Sequence, residues 1–227
     1  MKSERADLPL SIARLVRSAT PVTPLEAPSV RLARWVITSA VLLLLSVVML
    51  GVRADVAAQM VNGWFVARAT ATMTIAFAAA IVAFILSVPG VEPSRPVRAL
   101  PWAACLAWFV MLIGTIAASQ SPLDLLLQVT PHPSCVLLLA VTAFPSGVLL
   151  VWMLRQAAPL QARWTSGFAG LASLAVGALG TQFMCTNDAA AHHLLWHFTP
   201  VLLLTMASIA VGSSLFGWPR RQAHHSK

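Results

Sequence analysis

Charged residues punctuate this chain at wide intervals, and long apolar stretches lie between them. The charge-free intervals are 35–52, 69–91, 99–123, 125–154, 164–187 and 189–219, and they hold 18, 23, 25, 30, 24 and 31 residues. A helix needs about 20 apolar residues to cross a bilayer core. Each interval therefore holds one span, the first being the shortest, and none comfortably holds two. A charge at the centre of such a helix costs about 2.5–3.5 kcal/mol on insertion scales, so charges are expected at span ends. Pro131, His132 and Pro133 trim the fourth interval at its start, and His192, His193 and His197 trim the sixth. The expected helices lie near 34–52, 67–88, 101–119, 135–154, 165–184 and 197–217. The fold class that follows is all-α: an integral membrane bundle of six transmembrane helices.

Composition supports this reading. The chain is 58% hydrophobic and 10% charged, whereas a soluble domain carries about 25% charged residues. The first apolar stretch is not read as a signal peptide, because its basic leader runs to Arg34 and no small-residue cleavage site follows at once. Orientation follows from Lys and Arg in the loops. Lys2, Arg5, Arg14, Arg17, Arg31, Arg34, Arg95, Arg98, Arg155, Arg163, Arg220, Arg221 and Lys227 fall on one side, and Arg53 and Arg68 on the other. Thirteen against two puts both termini in the cytoplasm, in a multi-pass inner-membrane protein. The excess of basic over acidic residues, 15 against 7, then reflects topology, and no direct nucleic-acid contact is expected.

Residues 1–33 form a cytoplasmic tail, 34–218 the transmembrane domain and 219–227 a second, solvated tail. In the first tail, Asp7 suits an N-cap and Pro9 the first helical turn. Leu8, Ile12, Leu15 and Val16 then share one face at helical spacing. A lone helix of about twelve residues is marginal in water, so something must cover that face. Two coverings fit the pattern: the inner leaflet, with the arginines near anionic headgroups, or the groove of a partner protein.

Apart from Arg34, Arg68 and His197 at their ends, the spans as drawn hold no Asp, Glu, Lys, Arg or His, which argues against an ion-coupled carrier. Gly170, Ser173, Gly177 and Gly180 or Thr181 line one face of the fifth span. Small residues let helices approach closely. Packing within the bundle is the simpler use of this stripe, and a homodimer seam is the alternative. Pro145 should kink the fourth helix, leaving a carbonyl for neighbours to satisfy.

Two of the three cysteines sit at the outer surface. Cys135 opens the fourth helix, Cys185 closes the fifth, and His192, His193, Trp196 and His197 follow. Cys105 reads as a small core residue. In an oxidising compartment Cys135 and Cys185 suit a disulfide, reversible oxidation, or thiolate ligation of a thiophilic metal. His193 and His197 at i, i+4 would supply further ligands in that last case. The plain alternative is two buried thiols beside interfacial histidines. No Cys-x-x-Cys, phosphate loop, His-Glu-x-x-His or nucleophile elbow occurs, so no enzyme activity and no resident cofactor are expected. A membrane thiol oxidoreductase and a small-solute transporter are the rival readings.

From about residue 8 to residue 218 the chain resembles the NrsF-type membrane anti-sigma factors, named for negative regulation of sigma F. The resemblance runs through Leu15, Pro21-Val22, Leu25 and Arg34-Trp35. It continues with Gly51-Val52-Arg53-Ala54-Asp55, Ser87-Val88-Pro89-Gly90, Cys135-Val136, Pro145, Leu154-Arg155 and Ala157-Ala158-Pro159. Gly167, Gly170, Gly177 and Gly180 follow, then Cys185, Asp188, Trp196 and His197. The chain departs from the pattern at its end, Gly217-Trp218-Pro219-Arg220-Arg221. The resemblance implies a protein that holds an extracytoplasmic-function sigma factor inactive at the membrane and releases it on an outside signal. It implies that Leu8, Ile12, Leu15, Val16, Pro21, Val22 and Leu25 bind the sigma factor. It also implies that Cys135 and Cys185 sense oxidative or heavy-metal stress.

Overall fold

A computed structural model describes residues 25–119, 121 and 132–216. The amphipathic face at Leu8, Ile12, Leu15 and Val16, with Pro21, Val22 and the C-terminal tail, lies outside the described residues. Six long helices carry the fold, with no strand among the described residues: α1 (Pro28–Leu50), α2 (Gly63–Leu86), α3 (Arg95–Ala117), α4 (Pro133–Arg155), α5 (Ala162–Gln182) and α6 (Ala190–Phe216). A single turn, Val56–Gln59, joins α1 to α2.

Most of these helices start at residues that hydropathy overlooks. Proline occupies the first or second position of α1, α3 and α4, where its missing N–H costs no helical hydrogen bond. Asn62 caps α2, its side chain accepting from the Trp64 N–H at 3.0 Å. The helices therefore begin at 28, 63, 95, 133, 162 and 190, several residues before the spans drawn at 34, 67, 101, 135, 165 and 197. Charge-free intervals track the apolar stretch, while backbone hydrogen bonding continues into flanking polar residues. The last residues assigned to the tail thus form the first turns of α1. The expectation that Arg31, His192 and His193 lie outside the helices is corrected too. Arg31, Arg68, His192 and His193 lie inside helices and are buried.

Five of the helices are long and apolar enough to cross a membrane. The sixth, α5, packs against α2, α4 and α6 at once, and 16 of its 21 residues are buried. A helix ringed by other helices gains nothing from large apolar side chains, and small ones bring its neighbours closer. A Cβ on Gly177 would lie 2.5 Å from the Leu139 carbonyl oxygen and 2.8 Å from the Ala143 Cβ, both in α4. Gly180 faces Leu43 of α1, and Gly170 faces Ser208 of α6. Ser173 is buried as well, and its Cβ would stand 3.4 Å from one added at Gly147. The small-residue stripe of α5 thus meets three different helices of its own bundle.

The outside of the bundle is the reverse of α5. Ile37, Leu44 and Met49 of α1 are 66%, 64% and 82% exposed, and Leu106, Leu137, Phe144 and Leu203 continue the apolar surface. Apolar exposure on this scale does not suit water and is compatible with a membrane protein.

At one end of the bundle, Arg31 fastens three helices. It donates to the Met153 carbonyl of α4 and, at 3.3 Å, to the Ser87 hydroxyl just past α2, with its guanidinium 5.1 Å from the Phe84 ring centroid. The Trp35 indole donates to the Ser146 carbonyl at 3.1 Å, one residue past Pro145. The opposite end carries Cys135 and Cys185.

Candidate functional site: a thiol and imidazole cluster beside an arginine tie

Cys135 lies in the first turn of α4, just after Pro133. Cys185 follows α5, its N–H bonded to the Thr181 carbonyl at 2.8 Å. Because α4 and α5 run antiparallel, these positions meet. The two sulfurs stand 3.7 Å apart. His192 Nε2 lies 3.5 Å from the Cys135 Sγ and 3.4 Å from the Cys185 Sγ. With His197, these four side chains place one donor atom each within 4.8 Å of one another. His192 and His197 are almost fully buried.

The sequence pattern favoured His193 and His197 as the histidine pair, four residues apart. The structure pairs His192 with His197 in the donor set, and His193 stays outside it. The cause is a π-helical turn, Leu194–Phe198, inside α6. There the backbone bonds i to i+5, the Thr199 N–H donating to the Leu194 carbonyl, which also accepts from the Thr199 hydroxyl at 2.9 Å. Such a turn puts residues five apart on one face, and π turns recur at functional sites. His193 packs against His197 with the rings tilted and their centroids 4.5 Å apart, and His132 packs edge-on against His192 at 4.9 Å. Cys105 is buried in α3 and belongs to the hydrophobic core.

A second constellation abuts the first, and the sequence reading did not foresee it. Arg53, in the α1–α2 connection, donates from Nη1 to the Cys185 carbonyl at 2.9 Å. Its Nη2 pairs with Asp188 Oδ2 at 2.7 Å, and its Nε with Asp55 Oδ1 at 2.7 Å. Arg68 of α2 reaches the other Asp188 oxygen at 3.0 Å. Gln59 donates to Asp55 and to Asp188, both at 3.1 Å. The Arg53 N–H also bonds the Phe183 carbonyl at 2.9 Å. The clue available beforehand was sign: Arg53 and Arg68 are the two basic residues assigned to this end, and Asp55 and Asp188 lie in the same connections.

The electrostatics follow from these partners. Hydrogen bonds to Asp55 and then Asp188 push the Arg53 pKa up from its ordinary value. Asp55 is held below the usual carboxylate range by the Arg53 guanidinium first and by Gln59 second. Two arginines and two aspartates thus neutralise one another. Among the described residues this end of the bundle carries no net fixed charge, while Arg31, Arg34, Arg95, Arg98, Arg155 and Arg163 outnumber Glu26 and Glu92 at the other.

Of the residues the resemblance assigned to sigma-factor binding, Leu25 is described. It is exposed at the end opposite the cysteines. There it lines a cavity of about 330 Å³ with Glu26, Arg31, Arg34, Trp152 and Gln156, and Arg34 pairs with Glu26 at 2.8 Å.

No curated protein and no solved structure matches the chain. A family model does: NrsF, negative regulator of sigma F, over residues 15–218. That match takes in all six helices, both cysteines, the arginine tie and the second half of the N-terminal tail, and the chain belongs to the NrsF family.

Proposed function

We propose that the protein is an anti-sigma factor of the bacterial inner membrane. Its cytoplasmic N-terminal segment sequesters an extracytoplasmic-function sigma factor, and a redox or heavy-metal signal in the periplasm releases it. The observation that carries the outer half is the approach of Cys135 and Cys185 to 3.7 Å in a buried cluster. The family match supports the inner half. The neutralised cysteine end supports the orientation, since the few charges there cancel while the tail end stays basic. In this reading all six helices cross the membrane, with α5 shielded by its neighbours, and the protein acts by binding rather than by turnover. Lipid covers the apolar outer surface.

The mechanism has three parts. The face formed by Leu8, Ile12, Leu15 and Val16 docks on the sigma factor and covers its polymerase-binding surface. Oxidation or metal capture at Cys135 and Cys185 shifts α4 against α5. Arg53, bonded to the Cys185 carbonyl, carries that shift to α1 and so to the tail, as a repacking between two arrangements. Moving sigma occupancy from 1:99 to 99:1 requires about 5.5 kcal/mol of differential binding. A disulfide alone supplies typically about 2–4 kcal/mol, so it yields a graded response.

The test uses the full chain, tagged and solubilised from the membrane. A sigma factor, identified by mass spectrometry, should co-purify, and should fail to do so when residues 1–24 are deleted from a variant that still reaches the membrane. A thiol oxidant or Cd²⁺ should release it from the parent and not from Cys135→Ser or Cys185→Ser. Sigma-factor capture that survives loss of residues 1–24 would overturn the tail assignment. Full release from the serine variants would overturn the thiol assignment.

A further inference from the structure

We propose that Cys135, Cys185, His192 and His197 form a closed four-coordinate site for one borderline-soft divalent cation of the zinc and cadmium class. This rests on the reading of the outer thiols as signal receiver, and goes beyond it by naming the ligand, its stoichiometry and two histidines that complete the site.

Geometry is the first argument. A tetrahedral ion with metal–sulfur bonds of about 2.3 Å and metal–nitrogen bonds of about 2.0–2.1 Å has sulfur–sulfur edges of about 3.8 Å and sulfur–nitrogen edges of about 3.6 Å. The corresponding distances here are 3.7 Å between the sulfurs and 3.5 and 3.4 Å from the sulfurs to His192 Nε2. Three edges of the tetrahedron are thus already drawn, and His197 supplies the fourth corner within the 4.8 Å set.

Burial is the second argument. His197 is fully buried, and neither of its ring nitrogens has a hydrogen-bond partner. A buried polar atom left without a partner is costly, and a metal ion beside the two sulfurs satisfies one nitrogen directly. The π turn that brings His192 and His197 to one face is itself a departure from regular helix that a ligand site explains.

Donor chemistry selects the ion. Two thiolates and two imidazoles favour Zn²⁺ and its softer congeners over Mg²⁺ or Ca²⁺, which take oxygen ligands. Two thiolates neutralise a dication, and the adjacent Arg53 and Arg68 are already balanced by Asp55 and Asp188. Four protein ligands leave no open position, which fits a structural or sensory site rather than a catalytic one.

The test is metal binding by the full-length protein, purified in detergent, reduced and chelator-treated. Titration with Co²⁺ should give one ion per chain, with the intense visible bands of a tetrahedral thiolate site, displaced by Zn²⁺. X-ray absorption of the Zn²⁺ form should count two sulfurs and two nitrogens. His192→Ala and His197→Ala should each weaken binding by at least about tenfold, and His193→Ala should leave affinity and the count unchanged. Any other ligand count in the parent protein overturns the site, whatever the variants do. Unchanged affinity in both His192→Ala and His197→Ala overturns it as well. Sigma-factor capture is scored on the same preparations. Metal bound as proposed without capture supports the site and refutes the function proposed above, whereas capture without metal binding refutes the site alone.

Discussion

The Arg53 guanidinium donates to the backbone carbonyl of Cys185 at 2.9 Å while it pairs with Asp188 at 2.7 Å. One side chain thereby ties the end of α1 to the loop that carries a cluster thiol, across 132 residues of sequence. Arg53 is 2% exposed and Asp188 33%, so the aspartate is the solvent-facing partner of a buried cation.

Asp188→Asn should therefore loosen the loop as well as lower stability. It removes the charge that pairs both Arg53 and Arg68, and a buried charged donor losing its acceptor costs about 1–3 kcal/mol. Scanning fluorimetry in detergent should show the lower unfolding temperature, and maleimide labelling of Cys185 should speed up. Arg53→Lys keeps the charge but loses the fork that serves two aspartates and a carbonyl. It should fall between Asp188→Asn and the parent. Parent-like labelling in Asp188→Asn would break the link between the tie and the cluster.

Acid should weaken the same tie in a defined window. The folded pKa of Asp55 is depressed by Arg53 and Gln59, so the ionised carboxylate binds better than the protonated one. Its contribution is fully present above the ordinary carboxylate value of about 4 and is lost as pH falls through the lower folded value. Asp55→Asn should abolish this part of the acid sensitivity and leave the profile above pH of about 5 parallel to the parent's, as thermal unfolding at a series of pH values would show.

Gly177 and Gly147 offer a paired packing test. A Cβ at Gly177 meets the Leu139 carbonyl oxygen at 2.5 Å, backbone that cannot step aside, whereas one at Gly147 meets Ser173 at 3.4 Å, an ordinary contact. Gly177→Ala should destabilise the bundle by about 1–3 kcal/mol, the usual cost of overpacking. Gly147→Ala should lie close to the parent. Equal unfolding temperatures for the two variants would contradict the close α4–α5 approach.

Arg31 makes the tail's attachment testable. It joins α1 to Ser87 and Met153, so Arg31→Gln should loosen the first turns of α1 while the far end of that helix stays put. Hydrogen–deuterium exchange should rise over residues 28–35 and remain unchanged over 42–50. A uniform rise along α1 would mean that Arg31 holds the whole helix rather than its start.

The six long helices were legible in the chain because helix formation in an apolar stretch is a local matter. Length, hydropathy and the spacing of charges are all written within about 25 consecutive residues. The approach of Cys135 and Cys185 was legible nearly as well, because antiparallel neighbours place the start of one helix beside the end of the other. Three features were not. The helix starts depend on Asn62 and on prolines that hydropathy ignores. The choice of His192 over His193 depends on a π turn, one residue's worth of register that no regular period contains. Arg53, Arg68 and Asp188 meet across more than 100 positions, and such a pairing exists only once packing has brought α1, α2 and the last connection together. The sequence by itself thus determined how many long helices form and which end carries the thiols. The tertiary structure decided which side chains stand around those thiols, because burial at a helix junction is a property of three elements at once.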